Sequence, residues 1–154
     1  MPRLAAHRIE LLVDVRAFPS STCHPQSNRG NLGRELPAAS IGYRWLGKKL
    51  GGHRNKRREN SPHTGLRNQG FRNYANHMDR EEFRQGIAEL LELAARPHVA
   101  YMCAELLWWR CHRTLVSNYL LGVCHAEVVH IFDEKKATPH KLHPAARAVG
   151  ARLL

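Results

Sequence analysis

The middle of the chain holds a short stretch rich in side chains that take part in catalysis. An apolar run over residues 98–102 ends in a thiol and a carboxylate, and a second thiol, an imidazole and two guanidiniums follow within a few residues. Enzymes use such groups to attack electrophiles, to transfer protons and to hold anions. The residues are Cys103, Glu105, Arg110, Cys111, His112 and Arg113.

Cys111 is the strongest candidate nucleophile in this stretch. It lies where a helix is predicted to begin, and the unpaired N–H groups of a first helical turn stabilise a thiolate, as do neighbouring His and Arg side chains. Arg110 and Arg113 are three residues apart, so they share a helix face on which a phosphate or carboxylate can bind. Glu105 is a candidate base, with ion pairing to one of these arginines as the alternative.

A second group of candidate site residues follows the first predicted strand. Residues 9–15 are rich in Val, Ile and Leu, as in a strand buried on both faces of a parallel sheet, and Asp14 and Arg16 lie at its carboxyl end. Ligands of open α/β sheets bind at that end. We therefore expect Asp14 and Arg16 either to hold an anion beside the cysteines or to form a local ion pair that closes the strand.

The remaining pattern predicts a single α/β domain over residues 1–154, with a mainly parallel sheet flanked by helices in three layers. The order of elements is β-loop-α-β-loop-α-β-α-β, which is typical of right-handed crossovers. Further strands are predicted over residues 41–46, 98–102 and 127–132, helices over 32–39, 79–95 and 114–121, and a weak helix over 145–154 at the end of the tail.

Most of the excess positive charge lies in residues 43–74, where nine Lys and Arg face the single acid Glu59. Five glycines interrupt this segment, so we predict a long loop, and loops of this length are usually functional or disordered. The rings that flank it either stack nucleic-acid bases or anchor the ends of the loop in the core. The candidate nucleic-acid contacts are Lys48, Lys49, Arg54, Lys56, Arg57 and Arg58.

The composition of the chain indicates which partners, compartment and cofactors to expect. The formal net charge is +11 and the pI is about 10.2, which favours phosphate-bearing partners. The sequence contains neither a signal peptide nor an apolar run of the roughly 20 residues that span a membrane, so we expect a cytoplasmic protein. The four cysteines match no structural zinc template, and no cofactor is predicted.

The chain resembles an uncharacterised bacterial and archaeal family, domain of unknown function 488, which includes the YeaO-like proteins. The resemblance runs over about residues 9–132 and leaves 133–154 as a tail. It rests on Leu-Val-Asp-Val-Arg at 12–16 with Pro-Ser at 19–20, Tyr43 before Leu-Gly-Gly at 50–52, Phe-Arg-Asn-Tyr-Ala at 71–75 with Glu-Phe at 82–83, Met-Cys-Ala-Glu at 102–105, Cys-His-Arg at 111–113 and Val-Val-His-Ile at 128–131.

This resemblance implies a compact α/β domain with a site at the cysteine motifs, and it implies no established reaction. Family members typically begin with an additional strand and helix, which this chain is expected to lack because it starts almost at the Asp-Val-Arg strand. Loss of that element would put an intact site in doubt. It would also leave an uncovered sheet edge that favours a homodimer.

Three hypotheses follow from these observations. The first is an enzyme acting on a nucleotide or nucleic acid, in which Cys111, Glu105, Cys103 and His112 react and Asp14, Arg16, Arg110 and Arg113 hold the anion. The second is a non-catalytic nucleic-acid-binding module that uses the basic segment 43–74. The third is a metal-binding protein that uses Cys103, Cys111 and His112.

Overall fold

The computed structural model describes residues 2–19, 28–52, 54, 68–95, 98–103, 107–142, 148–149 and 152–153. Six α-helices and seven strands lie within these ranges. The helices are α1 (Pro2–Ala6), α2 (Arg29–Ala38), α3 (Gly47–Leu50), α4 (Gln69–Met78), α5 (Glu81–Ala94) and α6 (Arg113–Gly122). The strands are β1 (Leu11–Asp14), β2 (Gly42–Trp45), β3 (Val99–Met102), β4 (Val129–Ile131), β5 (Ala137–Pro139), β6 (Ala148–Val149) and β7 (Arg152–Leu153).

A parallel sheet of order β2-β1-β3 forms the centre of the fold. In its register, Asp14 of β1 lies opposite Trp45 of β2 and Met102 of β3. The three strands therefore end level with one another, and whatever follows each strand is brought to the same edge. The predicted α/β fold with a parallel sheet flanked by helices is confirmed.

The core has two parts, one on each face of the sheet, because successive side chains of β1 point to opposite faces. Val13 and Val15 pack with the helices α3, α4, α5 and α6 on one face. Leu12 packs with Leu36 of α2 and with Ile41 on the other face. This arrangement places helices on both sides of the sheet and buries β1 completely from Leu12 to Asp14.

The basic segment contains more regular structure than its composition predicts. Helix α4 begins where the Asn68 side chain accepts a hydrogen bond from the backbone N–H of Phe71, a standard N-cap. Tyr74 and Met78 of this helix are buried in the core. The prediction of one loop over residues 43–74 is therefore wrong for α3 and α4, while residues 53 and 55–67 lie outside the described residues.

Two predictions for the carboxyl-terminal part of the chain are also wrong. Strand β4 forms, but it pairs antiparallel with β5 and not with the central sheet. The side chain of Asp133 accepts hydrogen bonds from the backbone N–H groups of Lys135 and Lys136, and this turn reverses the chain within a few residues. Within the predicted helix over 145–154, residues 148–149 and 152–153 instead form β6 and β7, which pair antiparallel.

Candidate functional site

Two thiols meet at the carboxyl edge of the sheet. Cys103 directly follows β3, and Cys111 precedes α6 by two residues. The Cys103 side chain is hydrogen-bonded to the Cys111 sulfur. The same sulfur accepts hydrogen bonds from Nε of Arg113 at 3.1 Å and from its backbone N–H at 3.3 Å. Three hydrogen-bond donors therefore surround the Cys111 sulfur, and one of them is the backbone N–H of the first residue of α6.

These contacts change the acidity of Cys111. The hydrogen bond from Cys103 and those from Arg113 lower the pKa of the Cys111 thiol to about 6, although burial opposes the shift. Cys124 provides a contrast within the same chain, because burial alone raises the pKa of its thiol. Cys111 therefore exists largely as a thiolate at neutral pH, which is the nucleophilic and metal-binding form of cysteine. Cys23 lies outside the described residues.

His112 is fixed beside the thiols by its surroundings. Its Nε2 lies 3.0 Å from the carbonyl oxygen of Val15, and the ring is 5.1 Å from that of Tyr74. A carbonyl oxygen only accepts a hydrogen bond, so Nε2 carries a proton, and Nδ1 is the nitrogen that offers a lone pair when the ring is neutral. A Cβ at Gly52 would lie 2.5 Å from Nδ1, so only glycine lets the backbone pass this close to the ring.

The two thiols and the imidazole form one compact group. The sulfur atoms of Cys103 and Cys111 and one ring nitrogen of His112 all lie within 4.8 Å of one another. Thiolate and imidazole are the ligands that zinc and other borderline-soft ions prefer. The group can therefore hold a metal ion, although its spacing along the chain matches no zinc template.

Asp14 and Arg16 form a closed ion pair beside this group. Arg16 donates from Nε to one carboxylate oxygen of Asp14 at 2.8 Å and from Nη2 to the other at 2.7 Å. Tyr43 donates to the same carboxylate at 2.5 Å. Both charged side chains are buried, and the pairing with Asp14 raises the pKa of Arg16. The structure thus contains the local ion pair that was the alternative to anion binding.

The other predicted site residues are only partly described. Arg110 ends a short 3-10 turn before Cys111 and is exposed, so the prediction that it shares a helix face with Arg113 is wrong, because Cys111 is extended and α6 begins only at Arg113. Glu105 lies outside the described residues. In the basic segment Lys48 is exposed, Lys49 pairs with Glu89 at 3.3 Å, and Arg54 donates to backbone carbonyls of residues 48 and 51. Lys56, Arg57 and Arg58 lie outside the described residues, so a nucleic-acid interface there stays a prediction.

A ring cluster beside the site was not predicted. Trp108, in the 3-10 turn before Cys111, stacks on His130 of β4 with ring centroids 3.8 Å apart and an interplanar angle of 3°. Nε2 of His130 lies 2.8 Å from Nδ1 of His140, whose Nε2 lies 2.8 Å from Oδ1 of Asn118 in α6. The sequence placed His130 only in the predicted strand over residues 127–132. No local signal links Trp108 to β4, because the contact spans 22 residues of chain.

No described helix is both long and apolar enough to cross a membrane. No curated protein and no solved structure matches the chain. A family profile does match: the one described as Domain of unknown function DUF488 covers residues 1–120, which include the thiols, the imidazole and the ion pair. This extent, over most of the 154 residues, shows that the chain belongs to the DUF488 family.

Proposed function

We propose that this protein is a thiol-dependent enzyme acting on a phosphate-bearing substrate, a nucleotide or a nucleic acid. The Cys111 thiolate attacks an electrophilic centre of the substrate and forms a bond to it, while the bond from that centre to its leaving group breaks and the leaving group departs with the electron pair. The observation that carries the proposal is the triple hydrogen bonding of the Cys111 sulfur by Cys103 and Arg113. Donors arranged in this way stabilise the thiolate before any substrate arrives, as activated cysteines require.

Several features support an anionic substrate. Arg110 is exposed immediately before the nucleophile, and the first turn of α6 directs partial positive charge towards the same place. The net charge of +11 attracts polyanions from solution. Arg16 does not contribute a free charge, since Asp14 already binds its guanidinium through two hydrogen bonds. In this proposal Arg110 and Arg113 bind the phosphate, and Glu105 remains the predicted base.

The pH dependence of alkylation tests the proposal. Metal-free protein in EDTA is treated with iodoacetamide between pH 5 and 10, and each cysteine is followed by mass spectrometry. We expect the rate at Cys111 to rise with a midpoint near pH 6, whereas the midpoint at Cys124 should lie above that of an ordinary cysteine, because burial raises the pKa of its thiol. The midpoint is more informative than the rate at one pH, because a thiolate of low pKa is also intrinsically less nucleophilic.

Protection by ligands separates the two parts of the proposal. Inorganic phosphate and a mixture of ribonucleoside triphosphates should slow the labelling of Cys111 and leave Cys124 unchanged. Coinciding midpoints for the two cysteines would show that Cys111 is not activated. A midpoint near pH 6 without protection by either ligand would support an activated Cys111 and would refute a phosphate-bearing substrate.

A further inference from the structure

We propose that Cys103, Cys111 and His112 together bind one zinc-class metal ion, with a fourth coordination position open. This inference goes beyond the proposed function, because it requires the two sulfurs and the imidazole as ligands and does not require Cys111 to be a nucleophile. Three protein ligands with one open position are the usual composition of catalytic zinc sites, and two thiolates with one imidazole are a known ligand set.

The distances are close to those of a formed site. With zinc–sulfur bonds of about 2.3 Å and zinc–nitrogen bonds of about 2.0 Å, tetrahedral geometry separates the ligand atoms by roughly 3.5–3.8 Å. The three ligand atoms here already lie within 4.8 Å of one another. A contraction of no more than about 1.3 Å completes the site. Cys103 directly follows β3 and is half-buried, whereas Cys111 and His112 are buried.

The surroundings of His112 favour metal binding. Its Nε2 bonds to the Val15 carbonyl, a contact that fixes the ring and leaves Nδ1 as the nitrogen with a free lone pair. Metal-binding histidines nearly always use their second nitrogen in this way, and such contacts raise the basicity of the ligand. The Tyr74 ring packs against the imidazole, so the ring is oriented before any ion binds, and the missing side chain at Gly52 leaves room beside Nδ1.

The charges also match a divalent ion. Two thiolates carry −2 in total, which balances one Zn²⁺, and the neutral imidazole adds no charge. The Arg113 donors to the Cys111 sulfur supply the outer hydrogen bonds that stabilise a thiolate ligand. Binding displaces the thiol protons to solvent, so affinity rises with pH. A bound ion would also occupy the Cys111 sulfur and protect it from alkylation.

The test uses the full-length chain, reduced and stripped of metal. Co²⁺ serves as a spectroscopic probe, since tetrahedral cobalt thiolates show visible d–d bands and near-ultraviolet charge-transfer bands. Zn²⁺ is then titrated in against the cobalt and, separately, against a chromophoric chelator. We expect one equivalent of metal per chain, with charge-transfer intensity for two sulfurs.

Matched cysteine variants assign the ligands. Cys103→Ser and Cys111→Ser should each halve the charge-transfer intensity and weaken Zn²⁺ binding by at least about 100-fold, since even outer-shell changes cost 10–100-fold. Cys124→Ser, which removes a thiol outside the group, should change neither quantity. Cys103 lies outside the buried core, so its variant is expected to fold, and far-ultraviolet circular dichroism verifies this.

The outcomes are decisive. Absence of stoichiometric binding, or a loss of affinity in Cys124→Ser equal to that in Cys103→Ser, overturns the metal site. Because the alkylation experiment is performed without metal, an ordinary Cys111 midpoint there would refute the activated nucleophile while leaving the metal site standing. A midpoint near pH 6 in a protein that binds no metal would refute the metal site and leave the activated nucleophile standing.

Discussion

Two clusters of charge lie side by side at the carboxyl edge of the sheet, and they differ in whether their charges are already satisfied. In the Asp14–Arg16 pair, a carboxylate and a guanidinium neutralise each other through two hydrogen bonds, and a tyrosine completes the set. At Cys111, the guanidinium of Arg113 faces a thiol whose charge depends on pH. The first cluster is suited to stabilise the fold, and the second retains a group that can react or bind an ion.

The largest effect should come from breaking the closed pair. Arg16→Met leaves the Asp14 carboxylate buried without its cation, which we expect to lower the free energy of unfolding by about 3–5 kcal/mol. Arg113→Met should lower it by only about 0–1 kcal/mol, because Arg113 is half-buried and the Cys111 thiolate can take up a proton when its cation is removed. Urea denaturation of both variants measures the difference, and equal losses would contradict the comparison.

The next effect concerns the backbone that passes His112. Gly52→Ala would place a methyl group 2.5 Å from Nδ1, and we expect overpacking of about 1–3 kcal/mol together with weaker metal binding. Gly30→Ala is the control, since a Cβ there meets nothing within 4 Å and lies in α2, where alanine is favoured by about 1 kcal/mol. Thermal and denaturant unfolding of the two variants should shift in opposite directions.

A smaller effect should appear in the acidity of Cys111. Arg113→Met removes the Nε donor but keeps the backbone N–H, so the alkylation midpoint should rise from about 6 by about one pH unit. Cys103→Ala removes the largest cause of the low pKa and should raise the midpoint further. An unchanged midpoint in both variants would show that these contacts do not activate the thiol.

The smallest effect concerns the ring cluster next to the site. Burial, His140 and Arg113 lower the pKa of His130 to about 4 in the folded protein, so the folded state binds fewer protons than the unfolded state between pH 6.5 and 4. The stability that neutral His130 contributes is therefore fully present above pH 6.5. It is lost progressively as the pH falls from 6.5 to 4. His130→Phe should therefore lose less stability than the wild type as the pH is lowered from 6.5 to 4, which urea denaturation at a series of pH values measures.

Much of the fold was predictable because local patterns were unambiguous. The continuous apolar run around Val13 predicted a buried parallel strand, and Phe83, Ile87 and Leu90 predicted the buried stripe of α5. Helix α4 was missed although Phe71, Tyr74 and Met78 have helical spacing, because the Gly, Asn and Arg residues between them masked the period. The pairing of β4 with β5 was missed because partner choice depends on the turn at Asp133 and not on β4 itself.

The sequence by itself determined which chemical groups this protein has at the carboxyl edge of its sheet, because parallel strands of similar length end together. It predicted the helix start beside Cys111 and the two possible roles of Asp14 and Arg16. Only the tertiary structure decided how those groups are paired. Distances between residues far apart in the chain, such as Tyr43 to Asp14 and Val15 to His112, depend on side-chain packing and register, which no local spacing encodes.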